Sequence, residues 1–495
     1  MAVFSNQHRA PVLEALKAYV EDRVIRFHMP GHKGGLGADP EMRKFLGSAV
    51  YAADVTGVEG MDDLHAPLGV LREAEELAAQ LFGADRSFFL INGTSSGVQG
   101  MILGTIPPGD KLIVSRNVHK SILAGIVLAG IEPIYLQPDI DSYLGIAMGF
   151  DPEKVWAKAQ DQSGVCGALV VNPTYYGVAC QLEQLSANLH AQDQVLLVDE
   201  AHGPHFHFHP QFPAPALEQG ADACAQGMHK LLSSLTQASM LHLKGNRVNA
   251  EAVAESLRLI QSTSASYLLL ASLDAARRQM FLQGYELWSQ ALSLASTLRE
   301  ALSDIPGIYV FGPEILDRGG SESLDLTKVT ITVKELGITG QKAEIILRCR
   351  FNIQVEMSDL FNVLVMVGIG NTEEEIFRLA EAVRYLAQHC KEFQEPEALQ
   401  LLAAAEKLDP LPPASPLAML PREAFFAAKE ACPLKQSQGR VAAELVTCYP
   451  PGIPILGPGE VISQSAIDYL EVVRRAGLRI SGPRDLSLET LQVVK

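Results

Sequence analysis

Short apolar runs alternate with helical patterns between about residues 85 and 245 of the chain. Alternation at this spacing predicts βαβ units, and therefore a mainly parallel sheet covered by helices on both faces. The runs that we interpret as strands are SFFLING, KLIVSR, PIYLQP, GALVVNP, QVLLVDEAH, ACAQGMHK and ASMLHLKG. Ligands of such sheets bind at the carboxyl ends of the strands. Polar residues stand where these runs stop, at 92–96, His119, 172–176, 199–202 and His229–Lys230.

The pattern changes after this region. Residues 246–304 are periodic over long stretches, which predicts long helices. Apolar runs such as KVTITV and NVLVMVGIG then alternate with helical segments, which predicts a second, smaller α/β unit, and DPLPPASPLAMLP is typical of a proline-rich linker. We therefore predict an N-terminal arm (1–60), a large domain (61–305), a small α/β domain (306–408), a linker (409–421) and a C-terminal domain (422–495).

Composition and charge narrow the class of protein. The chain is 47% hydrophobic, and its net charge of -17 disfavours binding to nucleic acid or anionic lipid. It contains no apolar stretch long enough to span a membrane, and its first residues lack the layout of a signal peptide. Seven cysteines without a CxxC pair disfavour a disulfide framework and a thiolate zinc site. We expect a soluble, cytoplasmic protein that binds neither nucleic acid nor membrane.

The segment INGTSSGVQGMIL (91–103) places Thr94, Ser95 and Ser96 between a strand and an amphipathic helix. Backbone N–H groups at a helix N-terminus, together with the helix dipole, attract phosphate. A plain helix cap explains the same residues, because serine and threonine are ordinary capping residues. Taken alone, the segment does not distinguish the two interpretations.

Two further residues favour the phosphate-binding turn over a plain helix cap. Lys230 stands between a strand end and apolar residues, where desolvation favours a free amine able to form an imine. Asp199 closes the strand QVLLVD, where a buried carboxylate needs a cation or several hydrogen bonds. A phosphate-binding turn, an acid at a neighbouring strand end and a lysine on the next unit are together what pyridoxal phosphate requires.

The stretch VDEAHGPHFHFHP (197–209) also raises the question of a metal. His205, His207 and His209 would share one face if the segment were extended, and that spacing suits metal binding. The run is nevertheless a pattern of low specificity. We predict no metal, and we assign the chemistry of this stretch to Asp199 and His202 rather than to the other histidines.

At these residues the sequence resembles the bacterial ornithine/lysine/arginine decarboxylases, which are fold-type I pyridoxal phosphate enzymes. The resemblance covers nearly the whole chain and is to the short form of the family, without the N-terminal receiver-like domain. It implies an α/β fold with a transferase-like large domain, a smaller α/β domain and a C-terminal domain. The motifs that carry it include FHMPGHKGG (27–35), DVTGVEGMDDLHAP (54–67), NGTSSG (92–97), RNVHKSI (116–122), NPTYYGV (172–178), DEAHGPHF (199–206), HKLLSSLTQASMLH (229–242), STSASYLLLASLDAAR (262–277) and GRVAAELVTCYPPGIPILGPGE (439–460).

The resemblance implies a role for each matching residue. Lys230 would bind the cofactor aldehyde, Asp199 would pair with the ring nitrogen, and His119 would stack on the ring. Ala201 would touch the opposite face of the ring, and His202 would lie near the substrate carboxylate. The phosphate would be held by Thr94, Ser95, Ser96 and His229.

One departure from the family pattern concerns the cofactor. The family usually has two hydroxyl residues directly before the His-Lys pair, whereas this chain has Gly227 and Met228. Loss of a charge-assisted hydrogen bond costs about 1 to 3 kcal/mol. The sequence therefore predicts weaker cofactor binding.

The resemblance implies decarboxylation of a basic amino acid by a homodimer or larger homo-oligomer with shared active sites. The partner would complete each site through the HMPGHK arm and the loop around Ser262–Ser266. Arginine, giving agmatine, is the preferred substrate, and lysine (cadaverine) or ornithine (putrescine) are alternatives. An aminotransferase, an aldolase and a non-catalytic binding protein on the same fold also stay open. Candidate acids for the distal cation of the substrate are Asp62, Asp63, Glu356, Glu444 and Glu460.

Overall fold

The computed structural model describes residues 6–316, 320–406, 411–449, 453–475 and 479–495, except for the side chains of Tyr449 and Arg479. Asp409 and Pro410 of the predicted linker lie outside the described residues. The described α-helices are α1 (Pro11–Glu21), α2 (Pro40–Leu46), α3 (Ser48–Ala53), α4 (Val70–Phe82), α5 (Gly93–Thr105), α6 (Lys120–Ala129), α7 (Pro152–Asp161), α8 (Glu183–His190), α9 (Met228–Leu231), α10 (Ala250–Ile260), α11 (Tyr267–Ser303), α12 (Gly340–Phe351), α13 (Glu373–Gln388), α14 (Cys390–Phe393), α15 (Pro396–Ala405), α16 (Pro421–Phe426) and α17 (Gln464–Arg475).

The described strands follow the same chain order. They are β1 (Arg86–Leu90), β2 (Lys111–Ser115), β3 (Glu132–Leu136), β4 (Ile140–Asp141), β5 (Ile146–Ala147), β6 (Val165–Val171), β7 (Val178–Ala179), β8 (Val195–Asp199), β9 (Ala223–Gln226), β10 (Ser239–Leu243), β11 (Tyr309–Val310), β12 (Ser323–Leu324), β13 (Lys328–Thr332), β14 (Met357–Ser358), β15 (Asn362–Met366), β16 (Lys429–Pro433), β17 (Val446–Tyr449), β18 (Ile453–Leu456), β19 (Arg479–Ser481) and β20 (Thr490–Val494).

The seven apolar runs of the sequence form one seven-stranded sheet in the order β1-β10-β9-β8-β6-β2-β3. The pairs β2-β3, β2-β6 and β8-β9 are parallel, whereas β10 is antiparallel to both of its neighbours. The sheet is therefore mainly parallel, and the predicted α/β class is confirmed. No described helix has both the length and the apolar character needed to cross a bilayer.

The chain divides into two compact units. The first contains the described residues up to Thr105 together with Leu197–Pro210 and Ala214–Glu286, and the second contains Ile106–Leu196, Gln211–Pro213 and Leu287–Lys495. The division cuts through β8 and α11, so these units do not follow the chain-order domains predicted above, which stay a prediction.

The register of the first unit brings several loops to one edge of the sheet. Leu90 at the end of β1 pairs with Ser239 at the start of β10, and Met240 pairs with Gln226 at the end of β9. Asp199 at the end of β8 pairs with Ala225. The residues that follow β1, β8 and β9 and precede β10 therefore emerge at the same edge, where α5 and α9 begin.

The second unit has its own apolar cores. One lies between α12, α13 and the antiparallel sheet β11-β13-β15-β14, with Val329, Ile331 and Leu379 among its buried members. Another lies under α17 in the C-terminal region and includes Leu456 and Leu470.

Local sequence fixes the helix ends, as at α13, where Thr372 and Glu375 form a capping box.

Candidate active site

Lys230 lies in the single turn of α9, directly after β9. Its Nζ is 2.8 Å from Nε2 of His202, which is buried in the turn after β8. Met228 is fully buried and anchors the turn in the core. The amine is therefore held in one place by a histidine that can accept or donate a proton, depending on its tautomer.

Asp199 is buried at the carboxyl end of β8. Its Oδ1 accepts a hydrogen bond from the N–H of Ala201 at 3.2 Å. Burial raises the pKa of Asp199, and the charge of Lys230 and the N–H of Ala201 oppose that rise. A carboxylate in this position is stabilised further by any cation that enters the site.

The first turn of α5 presents hydroxyl groups and backbone N–H groups. The hydroxyls of Thr94 and Ser239 are 3.0 Å apart and both residues are buried. Ser96 donates its hydroxyl to the carbonyl of Gly93 at 2.8 Å, so that hydroxyl serves the helix itself. Ser95 is partly exposed. The turn is a helix N-terminus of the kind that binds phosphate.

His229 is fixed by the loop that precedes β10. Its backbone N–H and its Nδ1 both contact the carbonyl oxygen of Ala238, at 3.2 and 2.9 Å. Burial lowers the pKa of His229, and the neighbouring charge of Lys230 lowers it further. The ring is therefore neutral near pH 7.

The surroundings of Gly227, where the family usually has a hydroxyl residue, leave little room for a side chain. A Cβ at this position would lie 2.7 Å from the carbonyl oxygen of Ala201, 3.0 Å from Cδ of Lys230 and 3.1 Å from Oγ1 of Thr94. Real Cβ atoms do not approach a fixed backbone oxygen so closely, so a side chain there requires the backbone to shift. The hydroxyl pair of Thr94 and Ser239 lies beside this position.

His119 belongs to the second unit, where it caps the N-terminus of α6. Its Nδ1 is 2.8 Å from Oγ of Ser121 and accepts from the backbone N–H of Ser121 at 3.2 Å. The ring is thus oriented by the helix that it begins.

Three of the five candidate acids already bind backbone N–H groups or an arginine of the protein itself. Asp62 accepts backbone N–H groups of Asp63, Leu68, Gly69 and Leu71 at 2.7 to 3.1 Å. Burial alone would raise the pKa of Asp62, but these N–H groups lower it. Glu444 accepts from the backbone N–H groups of residues 484 and 492 at 2.8 Å. Glu460 is buried and paired with Arg116.

The other two acids are exposed. Asp63 accepts the N–H of His65 at 2.8 Å and lines an open cavity of about 900 Å³ in the first unit. Glu356 lines an open cavity of about 500 Å³ in the second unit. These two carboxylates are accessible to an arriving cation.

The histidine run forms a 3₁₀ turn over Phe206–Phe208 and not an extended segment. Its side chains consequently diverge: His207 lies 3.5 Å from Glu218, whereas His209 stacks on Tyr285 with ring centroids 4.9 Å apart. The histidines therefore do not share the single face that an extended segment with this spacing would give them. Within the described residues, no group of three or more His, Cys, Asp or Glu side chains could hold a metal ion.

The sequence reasoning missed two residues. Ser239 opens β10, and only the strand register shows that it reaches Thr94. Arg116 precedes His119 in the RNVHKSI motif, but a lone arginine gives no sign of a buried partner more than 300 positions away.

The residues of the first unit fit pyridoxal phosphate. A buried carboxylate suits its protonated ring nitrogen, an amine suits its aldehyde and a helix N-terminus suits its phosphate. Asp199, Lys230 and the first turn of α5 supply these three groups at one edge of the sheet.

Two family models match the chain. The model of the Orn/Lys/Arg decarboxylase major domain matches residues 10–375, and that of the Orn/Lys/Arg decarboxylase C-terminal domain matches residues 412–483. The chain is 43% identical to the arginine decarboxylase of Bacillus subtilis (strain 168) over 494 residues, which covers 99% of both chains.

Solved structures show the same fold. Lysine decarboxylase A from Pseudomonas aeruginosa matches with a TM-score of 0.85 and 26% identity, over 98% of this chain and 80% of that chain. A structure of SPT with PLP matches more distantly, with a TM-score of 0.50 and 16% identity, over 65% of this chain and 77% of that chain. The second likeness concerns the fold alone.

Proposed function

The chain belongs to the Orn/Lys/Arg decarboxylase family, and from this premise we propose that it removes carbon dioxide from arginine to give agmatine, with pyridoxal phosphate as cofactor. The observation that carries the chemistry is the Lys230 amine 2.8 Å from His202 and beside the buried carboxylate of Asp199. Arginine is preferred to lysine because the similar arginine decarboxylase is 43% identical and the similar lysine decarboxylase only 26%.

The residues that would hold the cofactor are those assigned from the sequence. Lys230 would bind its aldehyde carbon, Asp199 its ring nitrogen, and Ala201 and His119 its two faces. The phosphate would lie at the start of α5 with His229, where Thr94, Ser95 and the backbone N–H of Ser96 would bind it. The bound cofactor supplies an electron sink for the pair of electrons left on the α-carbon when carbon dioxide departs.

The chain's own residues control the protons. Asp199 would keep the ring nitrogen protonated, because a buried carboxylate strongly favours a cationic partner. His202 and Lys230 share a hydrogen bond, so a proton can pass between them and from either one to the α-carbon of the substrate. His202 would also orient the substrate carboxylate.

Recognition of the distal cation falls to an exposed acid. Asp63 and Glu356 are the two candidates whose carboxylates are accessible in the described residues. A guanidinium binds a carboxylate through two parallel hydrogen bonds, which an ammonium cannot form. Replacement of the correct acid by its amide therefore raises KM for arginine more than it lowers kcat. Asp63→Asn and Glu356→Gln, assayed side by side, identify it.

We propose a homodimer with shared active sites. The segment from Arg23 to Lys44 carries five Lys or Arg against two Asp or Glu, in a chain of net charge -17. It also exposes large apolar side chains, including Phe27 (95% exposed) and Phe45 (82%). A basic, apolar surface of this kind complements the acidic surface of a second copy.

The cavity beside this segment brings together three of the family motifs. It is lined by His28 and Met29, by residues of the 56–68 stretch, and by Thr263, Ser264 and Ala265. We propose that the partner subunit occupies this surface, so that the site is complete only in the dimer.

A substrate panel tests the reaction. Purified protein with added pyridoxal phosphate is given arginine, lysine or ornithine, and the amines are separated by chromatography. We expect agmatine and carbon dioxide from arginine, with kcat/KM at least about tenfold above that for lysine, which corresponds to about 1.4 kcal/mol. Formation of a keto acid in place of the amine would contradict the proposal, as would a lysine preference.

The Lys230→Ala variant tests the assignment of Lys230 as the reactive amine. It removes the group that would bind the cofactor covalently, so we expect loss of turnover by more than about three orders of magnitude and loss of the visible absorbance band of the bound cofactor. Lys17→Ala, at an exposed position of α1, is the matched control. Wild-type activity in Lys230→Ala would refute the assignment.

A further inference from the structure

A buried ion pair joins the C-terminal region to the turn that carries His119. Arg116 follows β2, and its guanidinium contacts both carboxylate oxygens of Glu460, with Nη2 at 2.9 Å from Oε2. Arg116 is 2% exposed and Glu460 is fully buried. Nη2 also donates to the carbonyl of Ile455 at 2.8 Å.

The surroundings of this pair satisfy the remaining hydrogen bonds. Oε2 of Glu460 accepts the N–H of Gly457 at 3.1 Å, and the guanidinium lies 4.6 Å from the centre of the Tyr135 ring. The backbone N–H of Arg116 donates to Leu136 at 2.7 Å, which fixes the end of β2 against β3. A buried pair is retained only with such geometry, because each buried ion costs several kcal/mol to desolvate.

The C-terminal region contacts α6 a second time, at its other end. Arg422 in α16 donates to the carbonyl of Leu128 in the last turn of α6 at 2.9 Å. A cation at this end of a helix also interacts favourably with the helix dipole. Residues beyond 415 therefore hold α6 both just before its N-terminus and at its C-terminus.

We propose that Arg116 and Glu460 are positioning residues that set the orientation of His119, the residue proposed to stack on the cofactor ring. This inference rests on the proposed function, in which His119 stacks on that ring. The turn between Arg116 and His119 contains two intervening residues, and it is fixed at both ends, by Glu460 and by Ser121. Glu460 thus contributes to the active site by holding this turn, and not by binding the substrate cation.

The test uses the holoenzyme with Glu460→Gln, which keeps the shape of the side chain and removes its charge. We expect the dissociation constant of pyridoxal phosphate to rise about tenfold and the visible circular dichroism of the bound cofactor to change. We expect KM for arginine to change less than about twofold, because Glu460 does not touch the substrate. Glu489→Gln is the matched control, since Glu489 lies in the same C-terminal region at an exposed position.

A double-mutant cycle separates positioning from a merely structural role. If Glu460 acts through His119, then Glu460→Gln added to His119→Asn produces little further change in cofactor affinity or circular dichroism. Additive effects on cofactor affinity would overturn the inference. So would a Glu460→Gln protein whose cofactor parameters equal those of wild type.

A second variant covers the case in which Glu460→Gln fails to fold. Arg422→Ala removes an exposed side chain and leaves the buried pair intact, and we expect a smaller change of cofactor dichroism in the same direction. An unchanged spectrum in Arg422→Ala would then contradict the inference. Amine production by the wild-type protein is measured separately, so that failure of the proposed reaction is distinguished from failure of the positioning role.

Discussion

At the scale of single residues, Gly227 illustrates how a departure from a family pattern is accommodated. The missing hydroxyl predicted weaker cofactor binding, because the sequence shows only the loss. The structure shows that Thr94 and Ser239 place a pair of hydroxyls beside this position. The weakening stays a prediction, and the neighbouring hydroxyl pair offers a physical reason for it to be small.

Restoring the hydroxyl is therefore expected to harm the site. In Gly227→Ser the new Cβ would lie 2.7 Å from the carbonyl of Ala201, and overpacking of this kind costs about 1 to 3 kcal/mol. We expect weaker binding of pyridoxal phosphate, measured by titration of its visible absorbance. Gly370→Ser is the control, because a Cβ there meets no atom within 4 Å. Tighter binding in Gly227→Ser would contradict this account.

The sequence was informative where a residue type is tied to its chemistry. The sequence indicates Asp199 and Lys230 because an acid and a lysine stand at the ends of two apolar runs, and the strand register explains why both lie at the same edge of the sheet. The five candidate acids were indistinguishable, since a carboxylate bound by Arg116 and one exposed in a cavity look alike in a sequence. Only tertiary contacts separate these two cases.

At the scale of elements, the apolar runs predicted all seven strands of the main sheet, and the order of the strands stayed hidden. The runs are local, whereas pairing joins distant segments: β1 lies beside β10, about 150 residues later. The antiparallel direction of β10 is likewise a property of its neighbours. That direction is what brings Ser239, at the start of β10, next to the residues that follow β1.

A buried acid links two further elements and gives a pH prediction. Glu75 in α4 accepts the N–H of Phe89 in β1 at 2.9 Å, and burial raises its pKa from the ordinary value of 4.5 to about 8. Between these two values the folded protein binds more protons than the unfolded chain. The contribution of Glu75 to the free energy of unfolding is therefore fully present below pH 4.5. It is lost as pH rises toward about 8, by at most about 1.4 kcal/mol per pH unit.

Glu75→Gln removes this titration and keeps an oxygen acceptor for Phe89. We expect its melting temperature, relative to wild type, to rise steadily from about pH 5 to about pH 8 and then to level off. Glu76→Gln is the control, because Glu76 is exposed and pairs with Arg72 on the helix surface. A difference in melting temperature between Glu75→Gln and wild type that stays constant across this pH range would contradict the prediction.

At the scale of the whole molecule, the resemblance is confirmed by family models that match both the major and the C-terminal domain. Nine motifs in family order carry far more information than any single motif, which is why the fold class and the decarboxylase family followed from the chain alone. Assembly is different, because it depends on surfaces. The sequence cannot show which apolar side chains the fold leaves exposed, whereas the structure locates a group of them between Val24 and Val50.

The proposed dimer predicts that activity depends on this segment and on protein concentration. Phe27→Ser and Phe45→Ser together remove two side chains that are 95% and 82% exposed, and burial of each in an interface contributes about 1.5 to 3 kcal/mol. We expect the variant to dissociate at higher concentration than wild type in analytical ultracentrifugation, and to lose specific activity on dilution. Phe426→Ser, at a 71% exposed position of α16, is the control and should sediment as wild type. A double variant that stays fully associated and active at nanomolar concentration would show that this surface is not the dimer interface.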